Sequence, residues 1–181
     1  MTPYPLPVND PGREEFGFAR TVCACPDCTR NCQYIPGYLV PADLERICGH
    51  HAPGAEVFAW ARGHLLASPG AMVRRGDAVF RIPTLVPARR PDGACLFLTA
   101  DERCAIHTVA PYGCAFFDAH QPATEADRRS SRGLQAILEA WQCLDLYARV
   151  WIDLHQAGLR APPPEVCRHQ LRQARDKEKP P

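Results

Sequence analysis

Four cysteines fall within ten residues near the N-terminus, and this spacing restricts the fold more than any other feature of the chain. Cys25, Cys28 and Cys32 form a C-x2-C-x3-C pattern, with Cys23 just upstream. Short spacings let several thiolates bind one ion without a large loop-closure entropy. We therefore predict that Cys25, Cys28 and Cys32 lie on one loop and are metal ligands. Cys23 is either a further ligand or only the neighbour of one.

A second group of cysteines, far along the chain, can supply the ligands that the first group lacks, since three thiols do not complete a tetrahedral site. The segment ACLFLTADERCAIH has two short apolar runs around a polar connection, which predicts a small hairpin of Cys95–Leu98 and Cys104–His107. Such a hairpin brings Cys95 and Cys104 together, and Cys114 follows them. We predict that these three cysteines complete the site.

Two histidines and one aspartate border the second group of cysteines. His107 follows Cys104 by three residues, and His120 follows Cys114 by six. Imidazole is a regular ligand of zinc and iron, but a histidine on a strand is more often an ordinary hydrogen-bonded side chain. Both interpretations stay open for His107, and His120 is a similar case. Asp118 is placed to hydrogen-bond a ligand from outside the site.

The N-terminal segment and the charge restrict where such thiols work. Residues 1–20 lack the basic region and apolar stretch of a signal peptide, and no apolar run approaches the roughly 18 residues of a membrane helix. The formal net charge is +1, which does not indicate binding to nucleic acid. We predict a cytoplasmic protein with no membrane or nucleic-acid partner. Disulfides are then the minority interpretation, because cytosolic thiols stay reduced.

Short apolar motifs surround the later cysteines. They read Cys95-Leu96-Phe97-Leu98, then Cys104-Ala105-Ile106-His107, then Ala110-Pro111-Tyr112-Gly113-Cys114-Ala115-Phe116. With the N-terminal cluster, they resemble the YkgJ-like family of cysteine-rich proteins, described as zinc- or iron-chelating domains, whose pattern is a CxxCxxCC-type cluster followed by C-x-F-L, C-x-I-Y and R-P-x-x-C-R-x-F. The chain departs from that pattern at Gln33, His107 and Ala110. The resemblance spans Cys23 to Asp118 and implies a metal or iron-sulfur site, but no particular reaction.

The sequence does not decide between zinc and an iron-sulfur cluster. Six or seven thiols exceed the four ligands of one zinc ion, whereas two zinc ions can share six cysteines through two bridging sulfurs. A [4Fe-4S] cluster needs four thiolates and would leave two or three cysteines over. Isolated thiols in helices are usually small buried apolar side chains, and we assign that role to Cys48, Cys143 and Cys167.

The rest of the chain predicts one α+β domain, small, cysteine-rich and centred on the metal, over residues 18–160. Proline, glycine and helical periodicity set the boundaries of its elements. The predicted elements are a proline-rich arm over 1–17, helices over Pro41–Gly49 and Ala55–Leu66, an edge strand or extended segment over Ala78–Val86, the short hairpin, a long and largely buried helix over Ser131–Ala157, and a charged tail over 161–181 that begins with a short exposed helix.

These features favour a cytosolic metal-binding protein that holds zinc or an iron-sulfur cluster in a structural or electron-carrying role. One alternative is a metalloenzyme or redox enzyme that uses the same centre, which an open coordination position would favour. A further alternative is a zinc-stabilised module that binds a protein partner, or a homo-oligomer that pairs through the long helix. No motif identifies a catalytic residue.

Overall fold

The structure is a computed structural model that describes residues 25–75, 77–116 and 120–177. It confirms the α+β class, and the predicted arm, Cys23 and Asp118 lie outside the described residues. In chain order the elements are α1 (Pro26–Tyr34), α2 (Pro41–His51), α3 (Val57–His64), β1 (Leu65–Ser68), β2 (Met72–Arg75), β3 (Ala78–Arg81), β4 (Thr84–Pro87), a 3-10 turn (His107–Val109), α4 (Tyr112–Ala115), α5 (Ala123–Cys143), α6 (Leu146–Gln156) and α7 (Pro164–Lys177).

The strands form two antiparallel pairs. β1 pairs with β4, so that Leu65 lies opposite Pro87, and β2 pairs with β3 in an exposed hairpin. The prediction of one extended segment over Ala78–Val86 is wrong in one respect, because the segment contains two strands with different partners. The division falls at Pro83, which has no N–H to contribute to a ladder.

Helix α2 begins at Pro41, as the sequence predicts, since proline at the first helical position leaves no N–H unsatisfied. Asp43 fixes this end, because its carboxylate accepts a hydrogen bond from the backbone N–H of Val40 at 3.0 Å. The helix does not stop at Gly49 but continues to His51. One glycine in the last turn weakens a helix without breaking it.

The second predicted helix is shorter than expected. Helix α3 begins after Glu56, whose carboxylate accepts hydrogen bonds from the N–H groups of Phe58 and Ala59, and it ends at His64. Leu65 and Leu66, predicted to be helical, belong to β1 because the partner strand β4 lies beside them. Tertiary pairing therefore overrides the local periodicity at this point.

The predicted long helix over Ser131–Ala157 is two helices, α5 and α6. The chain breaks at Leu144, whose φ of 48° and ψ of 45° lie in the left-handed region, and its side chain is 57% exposed rather than buried. Asp145 then starts α6 by accepting a hydrogen bond from the N–H of Ala148 at 3.2 Å. The first helix also begins earlier than predicted, at Ala123.

The main core lies between α2, α6 and the β1–β4 pair. Tyr147 of α6 is fully buried at its centre, where its hydroxyl donates to the carbonyl of Leu39 at 2.9 Å and accepts from the N–H of Leu85 at 2.8 Å. Ile137 is the deepest apolar side chain of α5, while Trp141 is partly buried. Together these contacts hold α6 against the strands.

The short exposed helix predicted before the charged tail is present as α7, which spans 14 residues and is docked on one side rather than exposed all round. α7 packs against α1, with Cys167 and Leu171 buried. Arg89 links the two helices, because its Nη2 donates to the carbonyl of Tyr34 at 2.6 Å and to Cys167 Sγ at 3.0 Å.

None of the described helices combines the length and apolar composition that a membrane crossing requires. Pairing of two copies through α5 and α6 stays a prediction.

Candidate metal centre

Helix α1 carries the N-terminal cysteines, which corrects the prediction that they lie on a loop. Cys25 is the residue before the first turn, and Cys28 and Cys32 follow three and seven positions later. Residues at this spacing share one face of a helix. The first turn is closed by a hydrogen bond of 3.1 Å from the Cys28 N–H to the Cys25 carbonyl. A rigid helix, rather than a flexible loop, therefore orients the three thiols.

Two of these thiols meet a histidine from a distant part of the chain. The ligand atoms of Cys25, Cys28 and His120 all lie within 4.8 Å of one another, and Cys25 Sγ is 3.2 Å from His120 Nε2. We call these three residues the outer trio, because His120 is exposed and the two cysteines are partly exposed. The trio is the one group of this tightness among the described residues. The sequence analysis left His120, like His107, open between a metal ligand and an ordinary hydrogen-bonded side chain.

The remaining predicted ligands gather around one cavity. They are Cys32, Cys95, Cys104 and Cys114, which we call the inner thiol set. The cavity has a volume of about 980 Å³, and Cys28 of the outer trio also lines it. The N–H of Cys95 donates to the carbonyl of Cys32 at 2.8 Å, which joins the later segment to α1. The structure thus brings the two cysteine-rich segments together.

The predicted hairpin around Cys95 and Cys104 is not a pair of regular strands. One antiparallel bridge links Leu98 to Cys104, and the N–H of Ala105 donates to the carbonyl of Phe97 at 2.8 Å. Beyond this bridge the chain closes in a tight turn, in which the N–H and the hydroxyl of Thr99 both donate to the Arg103 carbonyl and the Arg103 N–H donates to Thr99 Oγ1. The tight loop still places Cys95 and Cys104 on the same cavity.

Two glycines set the position of Cys114. The backbones of Gly37 and Gly113 cross in contact, and the Gly113 N–H donates to the Tyr38 carbonyl at 2.8 Å. A Cβ added at Gly37 would lie 2.2 Å from the backbone N of Cys114, and one added at Gly113 would lie 2.4 Å from the backbone N of Tyr38. This close approach lets the Gly37 N–H donate to Cys114 Sγ at 3.2 Å. The sequence analysis did not single out either glycine.

Burial and mutual electrostatic repulsion raise the pKa values of cysteines in the inner thiol set. Burial raises the pKa of Cys32 to about 11, with a further contribution from the thiolate of Cys104. Burial likewise raises the pKa of Cys95 to about 12, with repulsion from Cys32 and Cys104. The pKa of Cys114 is raised well above its usual range, first by burial and then by its three partners in the set. A cation among these sulfurs would relieve both effects.

Without metal, the protein should lose stability in alkaline solution. The folded-state pKa values of Cys32 and Cys95, about 11 and about 12, lie above the ordinary 9.0 of an unfolded cysteine. Between these limits the unfolded chain releases thiol protons that the folded chain keeps. The stability that these protonated thiols contribute is therefore fully present below pH 9.0. It decreases as the pH rises towards 11.

Urea midpoints of chelator-treated and metal-loaded protein, measured over this range, test the prediction. Metal-bound thiolates are already deprotonated, so the loaded protein should change less. Equal midpoints of the chelated protein at neutral pH and in the alkaline range would contradict it.

His107 lies on the 3-10 turn rather than on a strand, and it lines the cavity without belonging to the outer trio. Its role as a ligand stays a prediction.

Cys48 and Cys167 are buried, as expected for structural thiols, whereas Cys143 is exposed, because α5 ends there. The expectation that Cys143 is buried is wrong.

The nine described cysteines are all free thiols. No protein-family model, no curated protein and no solved structure matches this chain. The arrangement of its own side chains therefore carries the functional argument.

Proposed function

We propose that this protein binds metal through its two cysteine-rich segments, as zinc or an iron-sulfur cluster with a structural or electron-carrying role. The convergence of Cys25, Cys28 and His120 carries this proposal, since their three ligand atoms lie within 4.8 Å although His120 is 95 residues from Cys25. Thiolate and imidazole are the donors that zinc and iron prefer. Membership of the YkgJ-like family is part of the same proposal and rests on the cysteine motifs.

The spacing of the thiols bears on the kind of metal centre. Two sulfurs of a tetrahedral zinc site lie about 3.8 Å apart, because each Zn–S bond is about 2.3 Å. The ligand atoms of the outer trio, all within 4.8 Å of one another, need only a small contraction to bind a single ion. The inner thiol set surrounds a larger space and does not reach that tightness among the described residues. Its four thiolates suit a cluster, in which each sulfur binds a different iron atom, or a zinc site that contracts on binding.

The free thiols also support a cytoplasmic location. The nine described cysteines form no disulfide, and these include Cys95 and Cys104, which line the same cavity. Reduced clusters of this kind are typical of compartments where glutathione and thioredoxin keep thiols from pairing.

An enzymatic role is the second candidate function. The cavity of about 980 Å³ beside Cys28 favours it, because a substrate there would border the metal.

Substitution of Cys28 tests the proposal. Cys28→Ser keeps the side-chain size but replaces a soft ligand with a poor one, so it should lower metal content and melting temperature together. Elemental analysis and a visible absorption spectrum of anaerobically prepared protein provide the readout. Cys143→Ser is the matched control, because Cys143 is exposed at the end of α5. It should leave both quantities unchanged.

Wild-type protein that contains neither zinc nor iron after anaerobic preparation would overturn the proposal. Equal metal loss in Cys28→Ser and Cys143→Ser would also overturn it, because the loss would then be unrelated to the converging ligands. An absorption band of a sulfur-to-iron transition would select the iron-sulfur alternative, and its absence with a full complement of zinc would select the other.

A further inference from the structure

The hairpin of β2 and β3 exposes apolar side chains at the surface of the protein. Met72 is 62% exposed, Val79 is 54% exposed and Phe80 is 37% exposed. The part of the chain that the structure describes has six large apolar side chains with comparable exposure, and half of them belong to this one hairpin. Grouped apolar exposure of this kind indicates an interaction site, whereas single exposed side chains do not.

The backbone of the hairpin is also open to pairing. Among the described strands, β2 and β3 pair only with each other, so that Val73 lies opposite Phe80 and Arg74 lies opposite Val79. Each strand therefore has one edge at which the N–H and C=O groups face no other described strand. Such an edge can accept a further strand. A two-stranded sheet gains stability when more strands join it.

We propose that the outer edge of β3 pairs with β3 of a second copy of this chain, in antiparallel direction about a two-fold axis at Val79, so that two hairpins form one four-stranded sheet. Two-fold pairing is the commonest way in which identical chains associate. The backbone groups that face outward alternate along a strand, so two identical antiparallel strands align only when the axis passes through a residue. This inference goes beyond the proposed function and does not depend on the metal.

The charges at the two ends of β3 select this register. Antiparallel pairing places the start of one strand beside the end of the other, so an axis at Val79 brings Asp77 of each copy close to Arg81 of the other. Asp77 is exposed immediately before the strand begins. Opposite charges in neighbouring positions stabilise strand pairing. An axis at Phe80 would lack this attraction, because Arg81 would then lie opposite Val79.

Contacts within the chain hold Arg81 in position for this pairing. Its Nη1 donates to the carbonyl of Gly70 at 2.7 Å, and both Nη atoms donate to the carboxylate of Glu165. An arginine has five N–H donors, and none of these bonds uses Nε, so the guanidinium can donate to a second carboxylate. The Arg81 side chain is 32% exposed, which leaves it accessible to a second copy.

The outer edge of β2 does not suit a second copy. This strand ends in two arginines and contains no acidic residue. In any antiparallel register within β2, Arg74 would lie opposite its own copy or opposite an uncharged residue. Like charges in opposite positions destabilise a strand pair. The charge pattern therefore favours self-pairing through β3 over self-pairing through β2.

Association of the full-length wild-type protein tests the proposal without any substitution. Sedimentation measured over a wide range of protein concentration should show a reversible equilibrium between monomer and dimer. Added salt should weaken the dimer, because it screens the exposed contacts between Asp77 and Arg81. Hydrogen exchange should slow in Ala78–Arg81 as the concentration rises, while exchange in β2, α5 and α6 should stay unchanged.

Substitution at the proposed axis tests the contact itself. Val79→Lys places two cationic groups opposite each other, so it should raise the dissociation constant of the dimer by about tenfold or more. Val166→Lys is the matched control, because Val166 is 43% exposed on α7, outside the hairpin. It makes the same chemical change and should leave the dissociation constant unchanged.

Charge reversal tests the register. Asp77→Arg should weaken the dimer, and added salt should then strengthen it, because salt screens the repulsion from Arg81 of the second copy. This response to salt is opposite in sign to that of the wild type. Asp127→Arg is the matched control, since Asp127 is exposed on α5. It should keep the wild-type response.

Each part of the proposal has an outcome that would overturn it. A wild-type protein that stays monomeric at every concentration would exclude the pairing, as would a dimer that Val79→Lys and Val166→Lys weaken equally. Slower exchange in α5 and α6 instead of β3 would assign the interface to the helices. A salt response of Asp77→Arg equal to that of the wild type would exclude the axis at Val79. Metal content is measured separately, so none of these outcomes bears on the proposed function.

Discussion

Gly37→Ala should destabilise the protein by more than about 3 kcal/mol, because the added Cβ would meet backbone atoms that cannot rotate away. It would lie 2.2 Å from both the N of Cys114 and the carbonyl carbon of Gly113. The two backbone segments that cross at Gly37 and Gly113 would have to separate. Their separation would move Cys114 away from the cavity. Chemical denaturation and metal content, measured on the same preparation, should therefore both decrease.

Gly49→Ala is the matched control for this substitution. Gly49 lies inside α2, and a Cβ built there meets no atom within 4 Å. Alanine in a helix is favoured over glycine by roughly 0.5 to 1 kcal/mol, so the control should be slightly more stable than the wild type. The two substitutions add the same methyl group and should act in opposite directions. A Gly37→Ala protein with normal stability and normal metal content would mean that the two backbones do not cross in contact.

Helix boundaries were predictable where local chemistry sets them. Pro41 and Asp43 start α2 as the sequence predicts, because the proline and the carboxylate act within one turn. The division between α5 and α6 was not predictable from periodicity, since Leu144 continues the apolar stripe but adopts a left-handed conformation. Asp145, a good N-cap residue, was the available signal for a new helix.

The sequence predicts only the local part of the candidate site, as it does for the helix boundaries. Short spacing identified Cys25, Cys28 and Cys32 as one group, but it did not show that a helix presents them. The link between Cys25 and His120 spans 95 residues, and no local pattern encodes such a contact. It depends on how the start of α5 packs against the chain at Phe116. Residues of this kind become visible only when the tertiary structure is known.

Asp43→Asn should lower the free energy of unfolding by about 3 to 5 kcal/mol. This is the range observed when one partner of a buried ion pair is removed. Asp43 is 1% exposed, and its Oδ2 accepts hydrogen bonds from the N–H groups of Val40 at 3.0 Å and Tyr112 at 2.7 Å. Its Oδ1 accepts from Arg46, which also donates to the carbonyl of Ala110 at 3.3 Å. An amide has only one acceptor oxygen, so its NH2 group would face a donor on one side.

The same substitution should also weaken metal binding, because Asp43 joins the start of α2 to the segment that leads into Cys114. Tyr112 is fully buried and its backbone N–H depends on the carboxylate, so loss of this bond releases the chain two residues before the ligand. Asp153→Asn is the matched control. Asp153 pairs with Arg62 at the surface, where an ion pair contributes little, and its loss should shift neither the denaturation midpoint nor the metal content. Equal effects of the two substitutions would show that the buried carboxylate does not hold the Cys114 segment in place.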